Sequence, residues 1–145
     1  IMKILKFGGS SLKSASKIKK VVDRIRNEPP RGVVVSAVGG TTDLIIEIIA
    51  LAKNGNNFSK DLESLFQQFL DIARELELEK SSYLSFIKSI QLEAQNNLVE
   101  IKESIRFFNK LKDSVLSIGE RLTAFIVTQS CLKQNINVSF LDARE

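Results

Sequence analysis

Apolar positions in this chain form short unbroken runs near its start and helical stripes further on. Met2 to Lys6 reads as a buried strand. Ser14 then caps a predicted helix in which Ile18, Val21, Val22 and Ile25 recur at helical spacing. Pro29-Pro30 ends that helix. Val33-Val34-Val35 is a β-branched run of the kind found in parallel strands covered on both faces. Gly39-Gly40 breaks it, and Thr41 or Thr42 is positioned to cap the next helix, Asp43 to Lys53. Strand, helix, strand, helix is a βαβ unit with parallel strands.

Asn54-Gly55-Asn56-Asn57 reads as a turn. From there to about Leu111 the chain contains neither proline nor glycine and is expected to be helical. Leu62, Leu65, Phe66, Phe69, Leu70 and Ala73 form one stripe. Ile87, Ile90, Ala94, Leu98, Ile101, Ile105 and Phe108 form a second, which suits packing on neighbouring helices better than a coiled-coil seam. Ser117-Ile118-Gly119-Glu120-Arg121 opens another helix to about Lys133. Val138 to Leu141 reads as a last strand. The expected fold class is α/β: three layers, αβα, around a mostly parallel sheet, with a helical insertion at about 54–112.

Composition narrows the chemistry. The 145 residues are 43% hydrophobic and 26% charged, ordinary for one globular domain. No apolar run reaches the roughly 18 residues that span a membrane, and the opening stretch is too short for a signal peptide. With Cys131 alone, no internal disulfide forms, and a cytoplasmic setting is expected. The absence of histidine excludes His-based acid–base chemistry and the usual zinc sites. Residues 1–31 hold nine basic side chains against two acidic ones, a local charge of +7 in a chain of +4. That attracts anions. Without interleaved aromatic residues it does not suggest nucleic-acid binding. The chain stops at Asp142-Ala143-Arg144-Glu145, directly after the last strand-like run, so it is expected to be a segment of something longer.

Three stretches carry candidate chemistry. In Lys6-Phe7-Gly8-Gly9-Ser10-Ser11 a strand runs into glycines that let a backbone approach phosphate, beside one fixed positive charge. It matches neither the P-loop nor the dinucleotide G-x-G-x-x-G pattern. A βα turn with an exposed lysine has the same sequence. In Ser36-Ala37-Val38-Gly39-Gly40-Thr41-Thr42-Asp43, Ser36 and Thr42 can donate to a carboxylate or phosphate. Ordinary capping by the threonines, with Asp43 complementing the helix dipole, is the plainer alternative. In Ser117-Ile118-Gly119-Glu120-Arg121-Leu122-Thr123-Ala124, Glu120 can face a ligand ammonium or simply complement its own helix.

In this order the three stretches, with Phe140-Leu141-Asp142-Ala143-Arg144 after them, resemble the N-terminal half of the catalytic domain of aspartate kinases, in the amino-acid kinase superfamily. The resemblance spans essentially the whole chain. It implies that Lys6 sits on the phosphates and stabilises the transition state. It implies that Gly8, Gly9 and Ser10 cradle the transferring group; Ser10 stands where many members have threonine. Ser36 and Thr42 would contact substrate aspartate, and Glu120 its amino group. No residue is assigned to metal.

The implied reaction is ATP plus L-aspartate giving 4-phospho-L-aspartate and ADP with Mg2+, toward lysine, threonine and methionine. The family's adenine- and ribose-binding segments, a later substrate-binding arginine and the regulatory domains have no counterpart up to Glu145. These 145 residues alone are therefore expected to be inactive and, with sheet edge and apolar helix surface exposed, to self-associate. A sibling amino-acid kinase with another acidic substrate, and a non-catalytic anion-binding module, are the competing readings.

Overall fold

The computed structural model describes residues 3–29 and 32–144. The expected strand start at Met2, and Pro30 of the expected Pro29-Pro30 helix stop, lie outside the described residues. Two strands, β1 (Ile4–Phe7) and β2 (Gly32–Val35), pair in parallel with Lys6 opposite Val34 and Phe7 opposite Val35. The crossover between them contains α1 (Ala15–Asn27). Ser14 does cap α1, its hydroxyl accepting from the Lys17 N–H. The predicted stripe Ile18, Val21, Val22, Ile25 is buried.

Helices α2 (Thr41–Lys53), α3 (Ser59–Glu75), α4 (Lys80–Glu103), α5 (Phe108–Leu116) and α6 (Ile118–Lys133) follow. Leu5 and Phe7 point into the helical layer, with Val33 and Val35 packed against the same core. Ile4, Lys6 and Val34 are exposed on the sheet's other face. Helix α6 is buried on most sides and packs on α1, α4 and β2, so it is the central element of the core.

Four expectations need correction. The α2 cap is Gly40, not Thr41 or Thr42: Gly40 is left-handed (φ 86°) and offers no side-chain bond, while Thr41 is already the first helical residue. Second, the stretch from 57 to 111 is not continuous helix. Glu77 (φ 56°) ends α3, with the Leu78 N–H bonded to the Ala73 carbonyl and the Glu77 N–H to that of Arg74. Gly55 and Asn135 close α2 and α6 in the same way.

Third, the second stripe stops at Ile101, because α4 ends two residues later. Ile105 falls in the α4–α5 connection and is 84% exposed, and Phe107 there is left-handed (φ 65°). Fourth, 138–141 forms no ladder with any described strand. A groove of about 580 Å³, lined by Val33, Val35, Val127, Ile136, Val138 and Phe140 among others, separates it from β2. The segment is held by side chains instead. Phe140 packs edge-on to Phe86 of α4 and Phe125 of α6, whose rings stack 3.9 Å apart.

Candidate active site

Parallel pairing brings the carboxyl ends of β1 and β2 side by side. The first two candidate stretches leave the sheet there, together. The Phe7 carbonyl accepts from the Ser36 N–H at 3.0 Å. Beyond it the two loops touch backbone to backbone. A Cβ on Gly9 would stand 3.1 Å from the Ala37 carbonyl oxygen, and one on Gly39 3.2 Å from the Gly9 carbonyl oxygen. Side chains at either position would force the loops apart. Gly8 has open space around it.

The third stretch arrives on α6. A Cβ on Gly119 would lie 2.8 Å from that of Ala37 and 3.4 Å from the Thr41 methyl. One turn later the Thr123 hydroxyl accepts from the Val38 N–H at 3.1 Å and donates to the Gly119 carbonyl at 2.7 Å. Ala37 and Val38 therefore lie between the Gly9 loop and the first turn of α6. The N-termini of α2 and α6 are both beside this loop, and helix N-termini carry partial positive charge.

The predicted residues stand around this junction. Lys6 is exposed at the end of β1 and has no ion pair among the described residues. Ser10 is exposed, its carbonyl held by the Lys17 ammonium at 2.8 Å. Ser36 is half-buried and its hydroxyl donates to the Ala37 carbonyl at 3.2 Å. Thr42 and Glu120 are exposed in the first turns of α2 and α6. No hydrogen bond or ion pair joins these side chains to one another among the described residues.

The donor set fits a polyphosphate: an exposed cation, a glycine loop with one open side and two helix N-termini. Among the described residues no group of three or more His, Cys, Asp or Glu stands together to hold a metal ion.

Sequence reasoning missed the neighbouring ionic cluster. Arg121 is 9% exposed and grips Glu93 of α4 with both terminal nitrogens, at 2.8 and 3.1 Å. Its Nε donates to Asp142 at 3.0 Å. Arg144 donates to the same two carboxylates. Hydrogen bonds from Arg144, and the Arg121 charge, pull the Asp142 carboxyl down to about 2 against the effect of burial. Burial raises the Glu93 pKa, but the two arginines outweigh it and hold that carboxyl below its usual value. The signal was present in the sequence: Arg121 interrupts the apolar run of Ile118, Leu122, Phe125 and Ile126, where an unpaired charge is costly.

Comparison with known proteins places the fold. The aspartokinase of Chlamydia trachomatis is 30% identical over 98% of this chain and 30% of its own length. Aspartokinase III of E. coli in complex with lysine and aspartate superposes with a TM-score of 0.79 at 19% identity, over 94% of this chain and 30% of that one. The same enzyme in complex with aspartate and ADP gives 0.73 at 20% identity, over 93% and 30%. The chain thus spans about 30% of the length of these relatives. The model of the amino acid kinase family matches residues 2–145, and the chain belongs to that family.

Proposed function

We propose that this chain is the N-terminal part, residues 2–145, of the catalytic domain of an aspartate kinase, with its helical insertion at about 54–112. The whole protein would transfer the γ-phosphoryl group of ATP to the side-chain carboxylate of L-aspartate. The observation that supports this most is the meeting of three separate segments around Ala37. It is joined by the likeness to an E. coli enzyme whose solved structure holds aspartate and ADP.

In this reading Lys6 contacts the phosphates and offsets charge on the transferring group. Gly8, Gly9 and Ser10 offer backbone N–H groups to its oxygens. Ser36 and Thr42 donate to a substrate carboxylate, assisted by the α2 N-terminus. For that, Ser36 exchanges its bond to Ala37 for one to the ligand. Glu120 pairs with the substrate ammonium. The nucleophile is a carboxylate, already ionised at neutral pH, so the site requires no general base. Positioning and charge stabilisation are what these residues supply. Mg2+, carried on the ATP phosphates and water, would neutralise further charge when bound.

The product would feed lysine, threonine and methionine synthesis in the cytoplasm, and a homo-oligomer is part of the proposal. The test is ADP release by the full-length protein with L-aspartate and, separately, N-acetylglutamate. Turnover with aspartate is expected. Turnover with N-acetylglutamate alone would replace this reading with a sibling kinase.

A further inference from the structure

The ionic cluster beside the site is built differently from a surface salt bridge. Arg121 is buried and uses its Nε and both terminal nitrogens on Glu93 and Asp142. Such a fork fixes direction as well as distance. Its two acceptors come from separate parts of the chain, 28 and 21 residues away. Glu93 lies in α4 and Asp142 in the segment that follows α6. Arg144 holds the two carboxylates from the other side, so removing one arginine leaves both acids with a partner.

The neighbours of Arg121 in sequence make this arrangement more than structural. Gly119 packs on Ala37, and Thr123 bonds the Val38 N–H. Residues 119, 121 and 123 are buried, whereas Glu120 between them is exposed. Successive residues on a helix point about 100° apart. The direction of Glu120 is therefore set by how α6 is rotated about its axis. Gly119 and Thr123 hold that rotation from the α2 side, and Arg121 holds it from the α4 side.

We propose that Arg121 is a positioning residue for aspartate: clamped by Glu93 and Asp142, it fixes the rotation of the first turn of α6 and so aims Glu120 at the substrate ammonium. This rests on the functional reading given above. It adds that the helical insertion, through Glu93, takes part in substrate selection.

The test is steady-state kinetics of the full-length enzyme with Arg121→Met, Glu93→Gln and the double variant, with aspartate and ATP varied separately. Misaimed binding groups act on the ligand they hold, so Arg121→Met is expected to raise the aspartate KM about tenfold and the ATP KM less than about twofold. Glu93→Gln keeps one acceptor oxygen and is expected to raise the aspartate KM about threefold. The double variant is expected to be no worse than Arg121→Met, because both act through one contact. Unchanged aspartate KM in Arg121→Met, or aspartate and ATP KM rising together, would overturn the proposal. If Arg121→Met is insoluble, Glu93→Gln decides it by the same split. A wild-type enzyme inert toward aspartate would overturn the functional reading and this proposal with it; an active wild type with unaffected variants would overturn the proposal alone.

Discussion

Gly119 on α6 and Ala37 in the loop after β2 approach so closely that a Cβ on the glycine would lie 2.8 Å from the alanine Cβ. Neither atom is the movable end of a long side chain, so a methyl at 119 has to push α6 away from the loop. Gly119→Ala gains some helix propensity, but the overpacking outweighs it, and a net loss of about 1–2 kcal/mol is expected. Ala37→Gly added to Gly119→Ala should recover most of that loss. Chemical denaturation of the two variants measures both effects; a Gly119→Ala protein as stable as the wild type would show that the contact does not constrain the helix.

Thr41 presents the opposite case. It is 1% exposed, and its hydroxyl has no hydrogen-bond partner among the described residues. A valine has nearly the same shape without the buried polar atom. Thr41→Val is therefore expected to be neutral or to stabilise by up to about 1 kcal/mol. A melting temperature several degrees lower would mean that the hydroxyl has a role which its surroundings do not reveal.

The Asp142 carboxyl, held at about 2 chiefly by the hydrogen bonds of Arg144, links stability to pH. Its folded value lies below the unfolded value of about 3.9, so its contribution is present above pH 4 and is lost as pH falls toward 2. Glu93, also lowered, acts in the same direction. Asp142→Asn should be less stable than the wild type at pH 6, with the difference closing between pH 4 and 2. Urea midpoints across that range test it; a difference independent of pH would contradict the ionic account.

Lys6 is exposed and unpaired among the described residues, so its removal should cost little stability. Lys6→Ala in the full-length protein is expected to lower kcat by about 10²–10³-fold, the usual scale for loss of one transition-state contact, with an unchanged melting temperature. A kcat within a few-fold of the wild type would remove Lys6 from the phosphoryl site.

Much of this was legible in the sequence, and the parts that were not have definite physical reasons. Ser14 and the stripe from Ile18 to Ile25 were readable because capping and helical period are local properties. That the Gly8-Gly9 and Gly39-Gly40 loops lie together follows from parallel pairing alone. The helix stop at Glu77 was hidden because glutamate rarely takes a left-handed backbone; Gly55, doing the same job, was visible. The 138–141 run has strand composition, but a strand requires a partner, and among the described residues its side chains pack on α4 and α6 instead. The Arg121 charge inside an apolar helical stripe was visible, but its partners Glu93 and Asp142 lie too far away in sequence for periodicity to name them.

In the proposed function, three separate segments form one site that selects aspartate through Glu120. Steady-state kinetics of the full-length protein with Glu120→Gln, varying aspartate and ATP in turn, tests it most directly. Loss of an ion pair to the substrate ammonium should raise the aspartate KM by about 10–100-fold and leave the ATP KM nearly unchanged. An aspartate KM equal to that of the wild type would contradict the account.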